Sequence, residues 1–431
     1  MIRLVEALPA SLRRRPGWLV LIGIVVVAVG AWFAYEEIPS VHFKVMIAWA
    51  KVYDTFVPHQ DILPTPVAMP SAMPTFSLTS LSVSATPQPS FATETPVPQP
   101  TSAPFTPTPI PDKVLLKGVR HEQQYFNNCG PTTLAMALSY WGWEGDQHTI
   151  QPYLRPNKDD KNISPSEMAV YLEPNGFDSV VRVNGDIDTL KRLLAAGYPV
   201  ILEKGLVCHE GADRCEGWVG HYSLAVGYTS KRILLSDAFL GEGVEMTNLD
   251  LLIDWRAFNY TYVVVFPASA ERREQVLSLL GSAADVETNY REALTRAEAE
   301  AANSKFSKAA FAWFNAGSSL VALGDYADAA AAYDEARHAG IPFNLIWYQF
   351  GAYQAYAEVG RYEDVEHLAS FAISTAHLSG VEEAYYWRGQ AREALDQRDQ
   401  ALKDYRSALE YNPNFQPAED ALIALMKNQK P

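Results

Sequence analysis

Cysteine is scarce in this sequence. Only Cys129, Cys208 and Cys215 occur in 431 residues, too few for a disulfide scaffold, and no C-x-x-C pair suggests a zinc site. Basic residues are also in deficit: 35 Lys and Arg against 50 Asp and Glu leave a formal charge of −15. No basic stripe follows the first fifteen residues, so clustered cations that neutralise phosphates are missing and no nucleic-acid partner is expected. The chain lacks G-x-x-x-x-G-K-[ST], which excludes a P-loop nucleotide site. No metal and no cofactor are expected.

Long apolar runs are absent but for one, Pro16 to Tyr35, flanked by Arg13, Arg14 and Arg15 before it and Glu36 and Glu37 after it. Roughly 20 such residues cross a hydrocarbon core, and arginines stay on the cytoplasmic side. The expectation is a single membrane helix over 16–35, with 1–15 cytoplasmic and everything after it extracytoplasmic at the cell membrane. A cleaved signal peptide is the alternative. Residues 36–58 form a moderately amphipathic juxtamembrane segment. Residues 59–111 hold thirteen of the 28 prolines and only Asp61 and Glu94 as charges, a composition that cannot build a core. This stretch reads as a linker or stalk, with a reach on the order of 100 Å when extended.

Folded patterning runs over 112–268, followed by an Ala- and Glu-rich helical connector over 269–302. Over 303–431 a repeat appears. Trp313–Ala336, Gln349–Ala372 and Tyr385–Ala408 follow one another at a constant spacing, with Gly324, Gly360 and Asp396 at a shared turn position. Ala329, Val365 and Ala401 share the next position, and Ala336, Ala372 and Ala408 the close-packing one. Gly317 and Gly389 allow helices to approach, with Tyr353 as the exception. This pattern resembles the tetratricopeptide repeat. The resemblance implies an all-α array that binds a protein partner or substrate.

The chemistry centres on "YFNNCGPTTLAMALSYWG". Leu134, Ala137, Leu138 and Trp141 fall on one helical face. Asn128 is expected to cap the helix, Pro131 to sit in its first turn and Gly142 to end it. Cys129 then lies at a helix N-terminus, where backbone N–H groups and the macrodipole favour a thiolate. Further on, His221, Ser223 and Ala225 alternate with Tyr222, Leu224 and Val226 on one predicted strand, and a second strand ends on Asp237. Adjacent antiparallel pairing brings His221 and Asp237 together, so that the carboxylate orients the imidazole.

Cysteine at a helix start, histidine on a strand and a strand-end aspartate, in that order, resemble papain-like cysteine peptidases. The phrasing "NNCGPTTLAMALSYWG…GHYSLAVGY…LLSDAF" is similar to the bacteriocin-processing double-glycine peptidase family, in its stand-alone type. The resemblance implies an α+β papain-like domain with Cys129 as nucleophile, His221 as general base and acid, and Asp237 as orienting residue. It also implies a glutamine that stabilises the oxyanion. Gln123 and Gln124 both qualify, joined by the Cys129 backbone N–H. Without a nucleotide-binding cassette, export-coupled leader cleavage is not expected. The substrate is a peptide or protein, attacked at a peptide or other amide bond. A transglutaminase-like acyltransferase and a non-catalytic peptide-binding scaffold are the alternatives. Cys208 and Cys215 are expected to form a disulfide outside the cell, worth roughly 2.5 kcal/mol for so short a loop. A metal site with His209 and His221, or free thiols, are the other readings.

Overall fold

The structure, a computed structural model, describes residues 45, 62–67, 110–208, 217–303, 307–376 and 380–427. The expected anchor over 16–35, nearly all of 36–58 and most of 59–111 lie outside the described residues. Among the described residues, no helix is long and apolar enough to cross a membrane.

The first unit is a mixed α and β body built on an antiparallel sheet. Its strands are β1 (Val114–Leu115), β2 (Phe177–Arg182), β3 (Val200–Cys208), β4 (Gly217–Tyr228), β5 (Arg232–Asp237), β6 (Gly241–Thr247) and β7 (Tyr262–Pro267). The order is β2-β7-β3-β4-β5-β6, with β1 paired to β4. Successive residues of a strand point to opposite faces, and both faces here are apolar. Ile201, Leu224, Val263 and Val265 pack with helix α1 (Cys129–Tyr140), α2 (Gln147–Leu154) and α3 (Pro165–Leu172). Val200, Leu202, Val264 and Phe266 pack with α4 (Ile187–Ala195), α5 (Asn248–Trp255) and α6 (Ala270–Leu280). Val276 and Leu280 put α6 in this second core.

The second unit is a stack of helices: α7 (Val286–Asn303), α8 (Ser307–Leu323), α9 (Tyr326–His338), α10 (Gly351–Glu358), α11 (Tyr362–Thr375), α12 (Glu382–Ala394), α13 (Arg398–Tyr411) and α14 (Gln416–Lys427). The shared turn position is left-handed in all three copies, at φ +83° for Gly324, +76° for Gly360 and +60° for Asp396. A Cβ at Gly317 would lie 2.9 Å from the Tyr333 ring, and one at Gly389 2.5 Å from the Tyr405 ring. In the middle copy the sizes are exchanged: Tyr353 stands where the glycine was, Ala369 where the tyrosine was, and both are fully buried.

The two units are docked rather than merely joined in sequence. Asn259 Nδ2 donates to Ser319 Oγ at 3.0 Å, Asn315 Nδ2 to Arg256 O at 2.7 Å and Gln349 Nε2 to Ala257 O at 2.9 Å. Lys161 N donates to Gly380 O at 2.8 Å, and Gly380 N to Asp159 O at 2.6 Å. Ala257 and Phe258 belong to the same apolar core as Phe314, Tyr333 and Trp347. The array thus shares a core with the sheet unit and does not pack on its own repeats alone.

Candidate active site

Helix α1 begins on Cys129 and ends as expected. Gly142 at φ +83° follows it, with Gly142 N bonded to Ser139 O and Trp143 N to Leu138 O, the paired bonds of a Schellman closure. Its start differs from expectation. Asn128 occupies the N-cap position, but its side chain makes no capping bond. Instead Asn128 Nδ2 donates to Gln147 Oε1 at 2.8 Å, and Asn128 Oδ1 accepts from Arg155 Nη1 at 3.1 Å. Gln147 Oε1 also accepts from Tyr125 N and Thr132 Oγ1. The loop before the cysteine is thus pinned from the side, and the Asn128 side chain takes up none of the first-turn N–H groups of the helix.

His221 lies on β4 and Asp237 at the end of β5. Its Nε2 is 2.9 Å from Asp237 Oδ1 and 3.0 Å from Oδ2. Asp237 is fully buried and further accepts from Ser223 Oγ at 2.5 Å, Phe239 N at 2.9 Å and Leu240 N at 2.8 Å. Burial would raise its pKa. The charge and hydrogen bond of His221, then Lys204 and Ser223, overcome that and hold it well below the usual carboxylate range. His221 also lines the same cleft as Cys129 and acts on its thiol through a side-chain hydrogen bond and its charge.

That bond shifts both partners. Burial pushes the Cys129 thiol up, but the hydrogen bond and charge of His221, then Tyr222 N–H and Arg155, bring it below its ordinary value. Burial pulls His221 down, while Asp237 and Cys129 raise it to about 9. A low thiol beside a high imidazole is the condition for a thiolate–imidazolium pair at neutral pH.

The two glutamines have different fates. Gln123 Nε2 is spent on Ala238 O at 2.8 Å and Phe239 O at 3.4 Å. Gln124 is 5 % exposed, and its Oε1 has no hydrogen-bond partner.

Further residues line the cleft. Glu203 on β3 hydrogen-bonds Tyr222 Oη at 3.1 Å, and burial raises its pKa to about 8. Tyr348, from the helical stack, closes the cleft together with Phe258. A Cβ at Gly220 would lie 2.8 Å from Phe258 and 3.0 Å from Tyr348, so only glycine fits there. The open space beside Cys129 is about 20 Å³, roughly one water. The constellation Cys129, His221 and Asp237 is therefore complete within the first unit, but its cleft is not, because one wall comes from the repeats. The alternating Glu203 in an apolar strand was a visible anomaly; Tyr348 gave none. The side chain of Cys208 and all of Cys215 lie outside the described residues, as does their expected disulfide.

Residues 116–263 match the model of the Peptidase_C39 like family. Tetratricopeptide repeat models match residues 312–336 and 382–415. No curated protein matches the chain. Among solved structures, a Bacillus anthracis protein described as C39-like peptidase is 16% identical and aligns over 37% of this chain and 100% of its own, with a TM-score of 0.31. The peptidase domain of Streptococcus ComA, a bi-functional ABC transporter, is 15% identical over 35% of this chain and 99% of its own, TM-score 0.28. The first repeat domain of Spaghetti (RPAP3), bound to an HSP90 peptide, is 27% identical over 28% of this chain and 94% of its own, TM-score 0.25. The sheet unit is a Peptidase C39-like family domain, and it shares its chain with tetratricopeptide repeats.

Proposed function

We propose that the chain is a papain-like cysteine peptidase that hydrolyses peptide or amide bonds, with Cys129, His221 and Asp237 as its triad. The observation that carries this reading is the buried His221–Asp237 pair at 2.9 Å in the same cleft as Cys129, with the thiol lowered and the imidazole raised. The Cys129 thiolate attacks the carbonyl carbon. The Cys129 N–H and a glutamine side chain, Gln123 or Gln124, hold the oxyanion. His221 gives its proton to the leaving amine, which departs and leaves a thioester. Water then attacks the thioester while His221 takes its proton, and the thiolate is released.

The repeats complete the cleft and recruit a protein substrate or partner. Anchoring through 16–35, with both units extracytoplasmic, belongs to the same proposal and rests on the arginines before the apolar run. Digestion of a peptide library by the full chain, read by mass spectrometry, tests the function. The expected result is a set of cleaved peptides that Cys129→Ala abolishes; cleavage that survives Cys129→Ala refutes it.

A further inference from the structure

Six residues of the Pro/Thr-rich stretch, Ile62–Val67, lie on the helical stack in extended form. Ile62 bridges antiparallel to Pro342, and Leu63 N donates to Ile341 O at 3.1 Å. Leu63 is 2 % exposed and belongs to the core of the stack. Arg337 Nε donates to Pro64 O at 2.8 Å, and Val67 N donates to Asp364 Oδ1 at 2.8 Å. Ile62, Thr65 and Val67 face outward.

The polar groups that meet the strand are held by one another. Arg337 is buried and ion-paired to Asp364 at 3.1 Å, and it donates to Tyr356 Oη at 3.2 Å. Arg361 ties Asp364 to Asp334. This network fixes one guanidinium N–H and one carboxylate oxygen toward the strand. The two backbone N–H groups that find partners belong to Leu63 and Val67. The prolines at 64 and 66 fall where no N–H is required, and their fixed φ favours the extended form. The sequence thus matches its receptor residue by residue: a buried leucine, a carbonyl at 64, prolines that donate nothing, and a donor at 67.

We propose that the repeat array carries a binding site for an extended Leu-Pro-x-Pro strand, and that the chain's own Ile62–Val67 fills it. The site lies apart from the catalytic pocket, and the proposal does not depend on catalysis. Because the ligand is tethered, its local concentration reaches the millimolar range, and a free peptide of the same type must compete with it.

The test uses the full chain, wild type and Leu63→Asp, and a fluorescent synthetic peptide spanning residues 59–70. Anisotropy should show saturable binding to the Leu63→Asp chain. Binding to the wild-type chain should be at least tenfold weaker, as should binding of a peptide that itself carries Leu63→Asp. Equal affinity for both chains, equal affinity of both peptides, or no binding to the variant overturns the proposal. Hydrogen exchange on the unaltered chain guards against misfolding of the variant. The amides of Leu63 and Val67 should exchange at least tenfold more slowly than an unstructured chain, and exchange at the unstructured rate equally overturns it.

Discussion

His221 and Asp237 meet on a diagonal. Leu224 pairs with Ser236 across β4 and β5, which sets Ser223 opposite Asp237 and His221 two residues along the same face. Ser223 Oγ and His221 Nε2 therefore both reach the carboxylate, at 2.5 and 2.9 Å. The serine holds the carboxylate from the directly opposite position, and the imidazole takes the outer one, toward Cys129.

Asp237→Asn keeps the shape but removes the charge that sustains a protonated His221. Peptide hydrolysis should fall by about 100-fold or more in kcat/KM. A loss under about threefold would show that Asp237 does not orient the base.

The thiol should be reactive below the pH at which a free cysteine ionises. Labelling by iodoacetamide at pH 7 should occur at Cys129, vanish in Cys129→Ala and persist in Cys208→Ala. His221→Ala removes the chief influence that lowers the thiol and leaves burial, which raises it, so labelling at pH 7 should slow. His221 is raised to about 9. Hydrolysis should therefore decline as pH rises through about 9 and the imidazolium loses its proton. A wild-type labelling profile like that of a free thiol counts against the ion pair.

Tyr348 should behave as a wall. In Tyr348→Ala, labelling by a bulky electrophile should gain at least threefold relative to labelling by a small one, while hydrolysis of peptides weakens. An unchanged ratio would mean that the stack does not limit access to Cys129. For the same reason, a chain cut near Ala270 should not keep full activity. It loses Val276 and Leu280 from the sheet's core as well as Tyr348 from the cleft.

Where the units dock, Asp160, Glu382 and Glu383 are buried, each with one carboxylate oxygen unpartnered. Burial, and then Glu167, raise Glu382 to about 7. Burial likewise raises Asp160 and Glu383, with Glu382 the next influence on each, while Arg155 opposes the shift at Asp160. A carboxyl raised on folding holds its proton in the native state and releases it on unfolding. Its stabilisation is present at low pH and is lost as pH rises from its unfolded value through about 7. The wild-type melting temperature should therefore fall between pH 5 and pH 8 relative to that of Glu382→Gln. Parallel pH dependence in the two chains would refute this.

Local features were legible in the sequence and spatial ones were not. The Gly142 ending, the alternation around His221 and the turn shared by Gly324, Gly360 and Asp396 are written in adjacent residues. Asp396 even takes the left-handed form without being glycine, as a short polar side chain permits. Asn128 was placed at the correct position with the wrong bonds, because Gln147 and Arg155 reach it from another helix. Tyr348 is remote from Cys129 in sequence, and Ile62–Val67 is remote from Arg337. No periodicity marks such encounters, since they depend on how two finished units meet.

The docked strand changes what the Pro/Thr-rich stretch does mechanically. For a chain anchored through 16–35, the leash to the folded body is residues 36–61, at most roughly 90 Å long, rather than 36–109 at roughly 250 Å. Residues 68–109 then join two fastened points, one on the helical stack and one on the sheet unit. Tension on the anchor would then be borne by Leu63, Arg337 and Asp364 before it reached β1. A protease that nicks 68–109 at the surface of intact cells should yield two pieces on a denaturing gel, yet leave the body attached to the cell.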